Sequence, residues 1–326
     1  MVASSKYICE PLKYSGTLDS YDFFEVTPCL GREYNNLSIR DMLNAPNSDD
    51  MIRDFAVIVS TRLVVFLRSG NDDLTLKEQK TFTQKLEILT GKPEESGLHC
   101  HPSSAARLDE VVHEEAQADR EAFLVSNRLQ KKIYDRSTLE ADAKKNQNGS
   151  RAWHTEYPSQ FLPDSSIMYE TVPSDYSCLQ MHIQPPSGGD TLWASGVEMY
   201  NRYSTKMQNF LKTLTITSSQ QTFTSAAEKG GFTVVEENRG HPSNRGTHFT
   251  ATHPVVRTNP VTGLNSIYAV GLHVKCVDGI TNAESEALIK SFLDCLTQNH
   301  DLQMRLRWTP KTVAVWDNRS VNKTPL

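Results

Sequence analysis

Short runs of β-branched and aromatic residues fill the second half of this chain and limit the folds open to it. Clusters rich in Pro, Gly and Asn separate them, as in 185–189 and 259–263. Many short strands with few helices favour a closed double sheet, which protects strand edges. The pattern predicts a mainly β fold with flanking helices, a double-stranded β-helix or jelly roll, although periodicity alone fits other β-rich enzymes. The predicted strands are Ser177–Ile183, Thr213–Thr217, Phe232–Val235, Ala251–Arg257 and Thr312–Trp316.

Helical patterns appear at several places along the chain. Residues 48–68 predict an acid-capped helix that runs into a buried strand, and residues 75–90 predict an amphipathic helix. Two more helices are predicted near 196–212 and 282–299. Residues 103–150 are highly polar, which is typical of a solvated helix with a mobile loop; a regulatory or lid segment is the alternative. We expect the whole chain, 1–326, to form one domain.

The charge and composition limit the kinds of binding partner and the cellular compartment that we expect for this protein. With a net charge of −5, nothing indicates nucleic acid or an anionic membrane as a partner. No apolar run approaches the roughly 20 residues that cross a bilayer, and the first residues lack the apolar core of a signal peptide. We therefore expect a cytoplasmic protein that acts on a small molecule, with a homo-oligomer left open. The 6 cysteines lack CxxC spacing and are expected to be free thiols.

An imidazole and a carboxylate stand two positions apart in Trp153-His154-Thr155-Glu156. Alternate side chains of a strand point to the same face, so His154 and Glu156 can reach one metal ion. The triplet alone is weak evidence, because such a pair is more often an ordinary surface feature.

Further motifs in the chain change that interpretation. They are GGDTLW at 188–193, ATHPVVRTNPVTG at 251–263, and RLRW at 305–308 followed by VAVWDNR at 313–319. Together with the first motif they resemble the TauD/TfdA family of iron(II)/2-oxoglutarate dioxygenases, in the same order and over most of the chain. The resemblance implies a cupin-like jelly roll, Fe(II), and 2-oxoglutarate and O₂ as co-substrates. It also implies oxidation of a C–H bond in a small organic acid or natural product, with decarboxylation of 2-oxoglutarate.

The resemblance also implies roles for individual residues. His154 would be the first iron ligand and Glu156 the carboxylate ligand, whereas Thr191 would hydrogen-bond 2-oxoglutarate. Trp193 would shape its strand, and His253 would be structural.

The iron and oxo-acid sites depart from the family pattern near the end of the chain. The second histidine ligand would stand at Lys323, and an ammonium has no lone pair for a metal until it loses its proton. The arginine that clamps 2-oxoglutarate in the family would lie beyond Leu326. We therefore expect the last strand of the family fold to be missing.

The carboxylate ligand is ambiguous as well. Counting forward from His154 selects Glu156, whereas counting back from Ile167 selects Ser166. Asp164 is a weaker substitute, and residues 156–165 resemble an insertion.

These departures leave alternatives open: an active dioxygenase, a catalytically impaired pseudoenzyme or scaffold on the same fold, or a defective gene model. A rival metal triplet stands at His99-Cys100-His101, whose outer imidazoles share a face if the segment is extended. No third ligand is evident nearby, so we interpret this triplet as a loop feature.

Overall fold

The computed structural model describes short strands and helices over residues 10–93, 95–103, 119–125, 153, 167–221, 223–271 and 273–325. The strands are β1 (Phe23–Glu25), β2 (Arg32–Tyr34), β3 (Val64–Leu67), β4 (Tyr176–Gln180), β5 (Thr191–Ser195), β6 (Thr215–Ser219), β7 (Thr250–Pro254), β8 (Val256–Thr258), β9 (Asn265–Ile267), β10 (Val274–Val277), β11 (Gln303–Leu306), β12 (Val313–Asp317) and β13 (Val321–Pro325). The α-helices are α1 (Ile39–Asn44), α2 (Ser48–Arg62), α3 (Leu76–Leu89), α4 (Gly196–Arg202), α5 (Thr205–Leu211), α6 (Phe223–Gly230) and α7 (Asn282–Gln298).

Two sheets pack together through buried aromatic rings. One has the strand order β1-β2-β3-β12-β4 and the other the order β11-β5-β13. Trp193 of β5 packs edge-on against Trp316 of β12 and Phe66 of β3, with ring centroids 5.3 and 5.9 Å apart. Because all three rings are buried, they fill the space between the two sheets.

The central strands β3 and β12 are buried on both faces. Phe66 and Trp316 point toward the second sheet. Val65 and Val315, which pair across the strands, point the other way into the core beneath α1, α2 and α3. A strand covered on both sides shows a continuous apolar run instead of alternation, which is why these segments were recognisable in the sequence.

The strands β10, β6 and β7 form a further sheet, and β8 pairs with β9. Ile216 of β6 shares a core cluster with Phe292 and Leu296, the inward side chains of α7. This helix begins with a capping box formed by Thr281 and Glu284, which satisfies backbone N–H groups at its first turn.

A buried ion pair stabilises the end of β12. The Asp317 carboxylate accepts hydrogen bonds from Arg319 Nη2 at 2.6 Å, Ser60 Oγ at 2.7 Å and Asn259 Nδ2 at 2.7 Å. Burial raises the pKa of the Asp317 carboxyl, but Arg319 and these donors outweigh it and hold the pKa below its ordinary value. The pair therefore connects α2, the chain after β8 and the turn before β13.

Most of the predicted elements are confirmed, with three exceptions. The strand predicted at Ala251–Arg257 is two strands, β7 and β8, which belong to different sheets. The strand predicted at Phe232–Val235 is wrong: this stretch has no strand pairing and contacts 101–103 through one bond, from Val235 N to Pro102 O. The helix predicted near 196–212 is two helices, because the Ser204 side chain caps a new helix by accepting from Met207 N.

Most of the polar segment predicted at 103–150 lies outside the described residues. Where the structure describes the chain, no helix is long and apolar enough to span a bilayer.

His253 is a buried imidazole that connects β7 to the 3-10 turn Ile167–Tyr169. Its Nε2 lies 2.9 Å from the carbonyl oxygen of Met168. Because a carbonyl only accepts, Nε2 carries the proton and donates it. Burial, with some repulsion from Arg257, lowers the pKa of His253 to about 4, so the ring is neutral near pH 7. The structure thus gives this histidine a structural contact.

Arg319→Met should destabilise the fold by about 3–5 kcal/mol, because it leaves the buried Asp317 charge without its cation. Asp317→Asn combined with Arg319→Met should cost less than the sum of the single variants, as expected for a coupled pair. Urea unfolding measures all three. If each single variant lost less than about 1 kcal/mol of unfolding free energy and the two losses were additive, the pair would not hold this turn together.

His253→Gln should flatten the pH dependence of stability between pH 7 and 4. In the wild type, the unfolded chain binds a proton at this position below about pH 6.5, whereas the folded chain resists protonation until about pH 4. The wild type therefore loses up to about 3 kcal/mol as the pH falls through this window. The glutamine amide can donate to the Met168 carbonyl but does not titrate. Urea unfolding at several pH values measures the effect, and an equal loss of unfolding free energy in the two proteins from pH 7 to pH 4 would contradict the assignment.

Candidate functional site

Thr191 begins β5 at the end of a tight glycine turn. Gly188 and Gly189 both have φ near +74°, and a Cβ on Gly189 would lie 2.9 Å from the Pro185 side chain. The Asp190 carboxylate accepts a hydrogen bond from Arg305 Nε of the neighbouring strand β11, at 2.6 Å. Asp190 thus joins the turn to β11, and Thr191 enters the sheet in a fixed register.

The Thr191 hydroxyl is oriented by an indole. Trp308 Nε1 donates to Thr191 Oγ1 at 2.9 Å, and both side chains are buried. Because an indole nitrogen can only donate, the threonine oxygen accepts this bond, and its own proton remains for another acceptor. Sequence reasoning named Thr191 but missed Trp308, since only the folded chain brings the two together.

Lys323 lies on the same face of the sheet as Thr191. It stands directly opposite Trp193 in the β13–β5 pairing, and Thr191 is two positions along β5 from Trp193. Lys323 is 1% exposed. Its Nζ lies 3.6 Å from the ring centroid of Trp316 and 5.6 Å from that of Trp193, as in cation–π contacts. A buried lysine therefore occupies the position where the resemblance expects a second histidine.

Trp193 contributes another donor to this region. Its Nε1 is buried and has no hydrogen-bond partner among the described residues. Thr191 and Trp193 lie two positions apart on one face of β5, so the hydroxyl and the indole N–H are both hydrogen-bond donors here. Such donors suit a carboxylate, whereas a metal cation requires lone pairs.

The predicted metal ligands lie outside the described residues. This applies to His154 and Glu156, and equally to the alternatives Asp164 and Ser166. Trp153, immediately before His154, is described and packs in the core cluster that also contains Met168. No group of three or more His, Cys, Asp or Glu side chains suited to a metal occurs in the described part of the chain. The metal site therefore remains a prediction.

The His99-Cys100-His101 segment makes other contacts. His99 Nε2 lies 3.4 Å from the Glu170 carboxylate, and His101 Nδ1 accepts from the backbone N–H of Ser103 at 3.2 Å. The imidazole of His101 also stacks on Phe123, with centroids 4.3 Å apart. These contacts match the interpretation of the segment as a loop feature.

Glu170 and Arg239 form a buried pair that sequence reasoning did not single out. Arg239 donates from Nε at 2.5 Å and from Nη2 at 3.1 Å to the two carboxylate oxygens. Burial raises the pKa of Glu170, but His99 and Arg239 outweigh it and lower the pKa overall. The pair stays charged and connects the loop at 235–246 to the turn that follows Tyr169.

A sequence profile of the family described as taurine catabolism dioxygenase TauD, TfdA family matches residues 22–322. The alpha-ketoglutarate-dependent dioxygenase btcD of Neocamarosporium betae is 40% identical over 97% of this chain and 88% of that protein. The alpha-ketoglutarate-dependent dioxygenase oryG of Aspergillus oryzae is 37% identical over 97% and 86%.

A solved structure supports the fold. The crystal structure of a taurine dioxygenase from Burkholderia xenovorans superposes with a TM-score of 0.60 and 18% identity, covering 93% of this chain and 82% of that one. Identity this low bears on the fold alone, and it confirms the predicted jelly-roll class. With the profile match over most of its length, the chain belongs to the TauD/TfdA dioxygenase family.

Proposed function

We propose that this chain is an iron(II)- and 2-oxoglutarate-dependent dioxygenase that oxidises a C–H bond of a small organic molecule. The relatives matched over most of the chain are named alpha-ketoglutarate-dependent dioxygenases, which favours an enzyme over a scaffold on the same fold. The observation within this chain that supports the proposal best is the bond from Trp308 to Thr191. It leaves a buried hydroxyl proton for the carboxylate of an oxo acid.

The overall reaction consumes 2-oxoglutarate, O₂ and a substrate R–H, and yields succinate, CO₂ and R–OH. One oxygen atom enters succinate and the other enters the product. In this proposal His154 and Glu156 hold the iron, as the resemblance implies. Because Lys323 stands at the third ligand position, iron binding should be weaker than at a site with two imidazoles and a carboxylate.

The described residues act on the oxo acid and on its surroundings. Thr191 donates a hydrogen bond to a carboxylate oxygen, with its hydroxyl held by Trp308. Trp193 and Trp316 form an apolar wall around this position. Excluding water strengthens each electrostatic contact made to a bound carboxylate, because the local dielectric constant is low.

Succinate formation tests the proposal without knowledge of the substrate. With excess Fe(II), ascorbate, O₂ and 2-oxoglutarate, the purified chain should release succinate, slowly and uncoupled from substrate oxidation. His154→Ala should abolish this activity. Glu156→Gln and Asp164→Asn identify the carboxylate ligand, because only the variant at the true ligand should lose succinate formation. A folded, iron-supplemented chain that makes no more succinate than an EDTA-treated sample would disprove the proposed activity.

Thr191→Val should raise KM for 2-oxoglutarate by about 10-fold or more with little change in kcat, since a hydrogen bond to a charged group contributes about 1.5–3 kcal/mol. Thr191→Ser keeps the hydroxyl and serves as the matched control. Trp308→Phe should raise KM less, by about 2- to 10-fold, because it removes only the bond that orients the hydroxyl. Equal KM values for the valine variant and the wild type would remove Thr191 from the site.

A further inference from the structure

Strand β1 lies at an edge of the five-stranded sheet and exposes two aromatic side chains. Phe23 and Phe24 are 43% and 48% exposed, and the neighbouring Glu25 is exposed as well. On one side β1 pairs with β2 in three consecutive antiparallel pairs. Among the described residues, no strand pairs with its other side. An exposed edge with apolar side chains is a template for a further strand.

The charge on β1 is neutralised within the chain itself. The Glu25 carboxylate forms ion pairs with Arg32 and with Arg62 Nε, the second at 2.7 Å. The Arg32 guanidinium also lies over the Phe23 ring, with Cζ 3.9 Å from the ring centroid. Lysine and proline are the residues that most often prevent pairing at an edge, and β1 contains neither. The outer side of β1 is therefore open to pairing.

The hydrogen bonds to β2 determine which backbone groups of β1 face outward. Val26 N donates to the Gly31 carbonyl oxygen, just before β2, at 3.0 Å. In an antiparallel ladder every second residue bonds to the same neighbour, so Phe24 and Val26 face β2. The N–H and C=O groups of Phe23 and Glu25 consequently face the open edge, where a second strand can bond to them.

Side-chain charge selects one register for pairing between two copies of β1. With Glu25 on a two-fold axis, two carboxylates would oppose each other, and like charges in that position are destabilising. With Phe23 on the axis, Phe24 would oppose Asp22 of the second copy. With Phe24 on the axis, the two Phe24 rings form a non-hydrogen-bonded pair, in which side chains lie closest. Glu25 of the second copy then opposes Phe23 and lies beside the Arg32 guanidinium, so the charges are complementary.

We propose that β1 is a dimerisation edge, to which a second copy of this chain adds its own β1 antiparallel across a two-fold axis at Phe24. The two five-stranded sheets then form one continuous sheet through the dimer. Because a pair of short strands buries little area, the dimer should be weak and concentration-dependent. Dimerisation at this edge does not depend on the activity proposed above.

Sedimentation equilibrium of the full chain in reducing buffer, over a wide range of concentrations, should fit a reversible monomer–dimer equilibrium. Phe24→Ser removes the aromatic pair at the axis and should raise the dimer dissociation constant by about 10-fold or more, because both copies lose a ring that dimerisation buries. Phe210→Ser removes a ring of similar exposure, 43%, from α5 and is the matched control, which should dimerise like the wild type. Circular dichroism of each variant verifies that it is folded.

Disulfide formation tests the register. In the proposed register the two Cα atoms at position 24 lie about 4.5 Å apart across the axis, within the range of a disulfide. Those at position 23 lie on a diagonal, roughly 7–8 Å apart, which is beyond that range. Phe24→Cys should therefore form a reducible dimer under mild oxidation, and Phe23→Cys should form much less. The wild type oxidised in parallel measures the background from the native thiols.

A wild type that stays monomeric at every concentration overturns the proposal and leaves a strand of a different protein as the occupant of this edge. A dimer that Phe24→Ser does not weaken also overturns it, as does one that Phe23→Cys links better than Phe24→Cys. Hydrogen exchange provides a measurement that needs no variant. The Phe23 and Glu25 amides should exchange more slowly in the dimer than in the monomer, and equal rates would contradict the pairing.

Discussion

The packing of Trp193 against Phe66 and Trp316 is the contact on which the rest of this structure depends. It joins the five-stranded sheet to the β11-β5-β13 sheet and excludes water from the space between them. Thr191 and Lys323 project into that same space because they share a sheet face with Trp193. The aromatic core is therefore also the wall of the proposed site, and a change in either affects both.

The described part of the proposed site carries hydrogen-bond donors. The Thr191 hydroxyl and the Trp193 indole N–H lie two positions apart on one face of β5, and such donors suit the carboxylate that the proposed function places there. In the proposed function, metal binding depends on His154 and Glu156, which lie outside the described residues.

Buried ion pairs fix the segments around the site. Asp317 and Arg319 hold the turn between β12 and β13, which determines where Lys323 emerges. Glu170 and Arg239 hold the loop at 235–246 against the turn that follows Tyr169. Each pair costs desolvation energy, so its contribution lies in specifying one arrangement of loops whose own sequences permit several. The Glu170–Arg239 pair could not be read from the chain, because its members are distant in sequence, whereas Asp317 and Arg319 stand together in the VAVWDNR motif.

The sequence by itself determined the family, the double-sheet fold and the positions of most strands and helices. Apolar runs such as Val64–Leu67 and Val313–Asp317 carry that information locally, and the GGDTLW turn fixes how Thr191 enters its strand. Sequence failed at 232–235, where the apolar run pairs with no strand in the part of the chain that the structure describes. Only the tertiary structure decided that Trp308 orients Thr191 and that Lys323 lies buried between two indoles. These are contacts across strand pairs and between sheets, and their geometry depends on register and packing, which no single segment encodes.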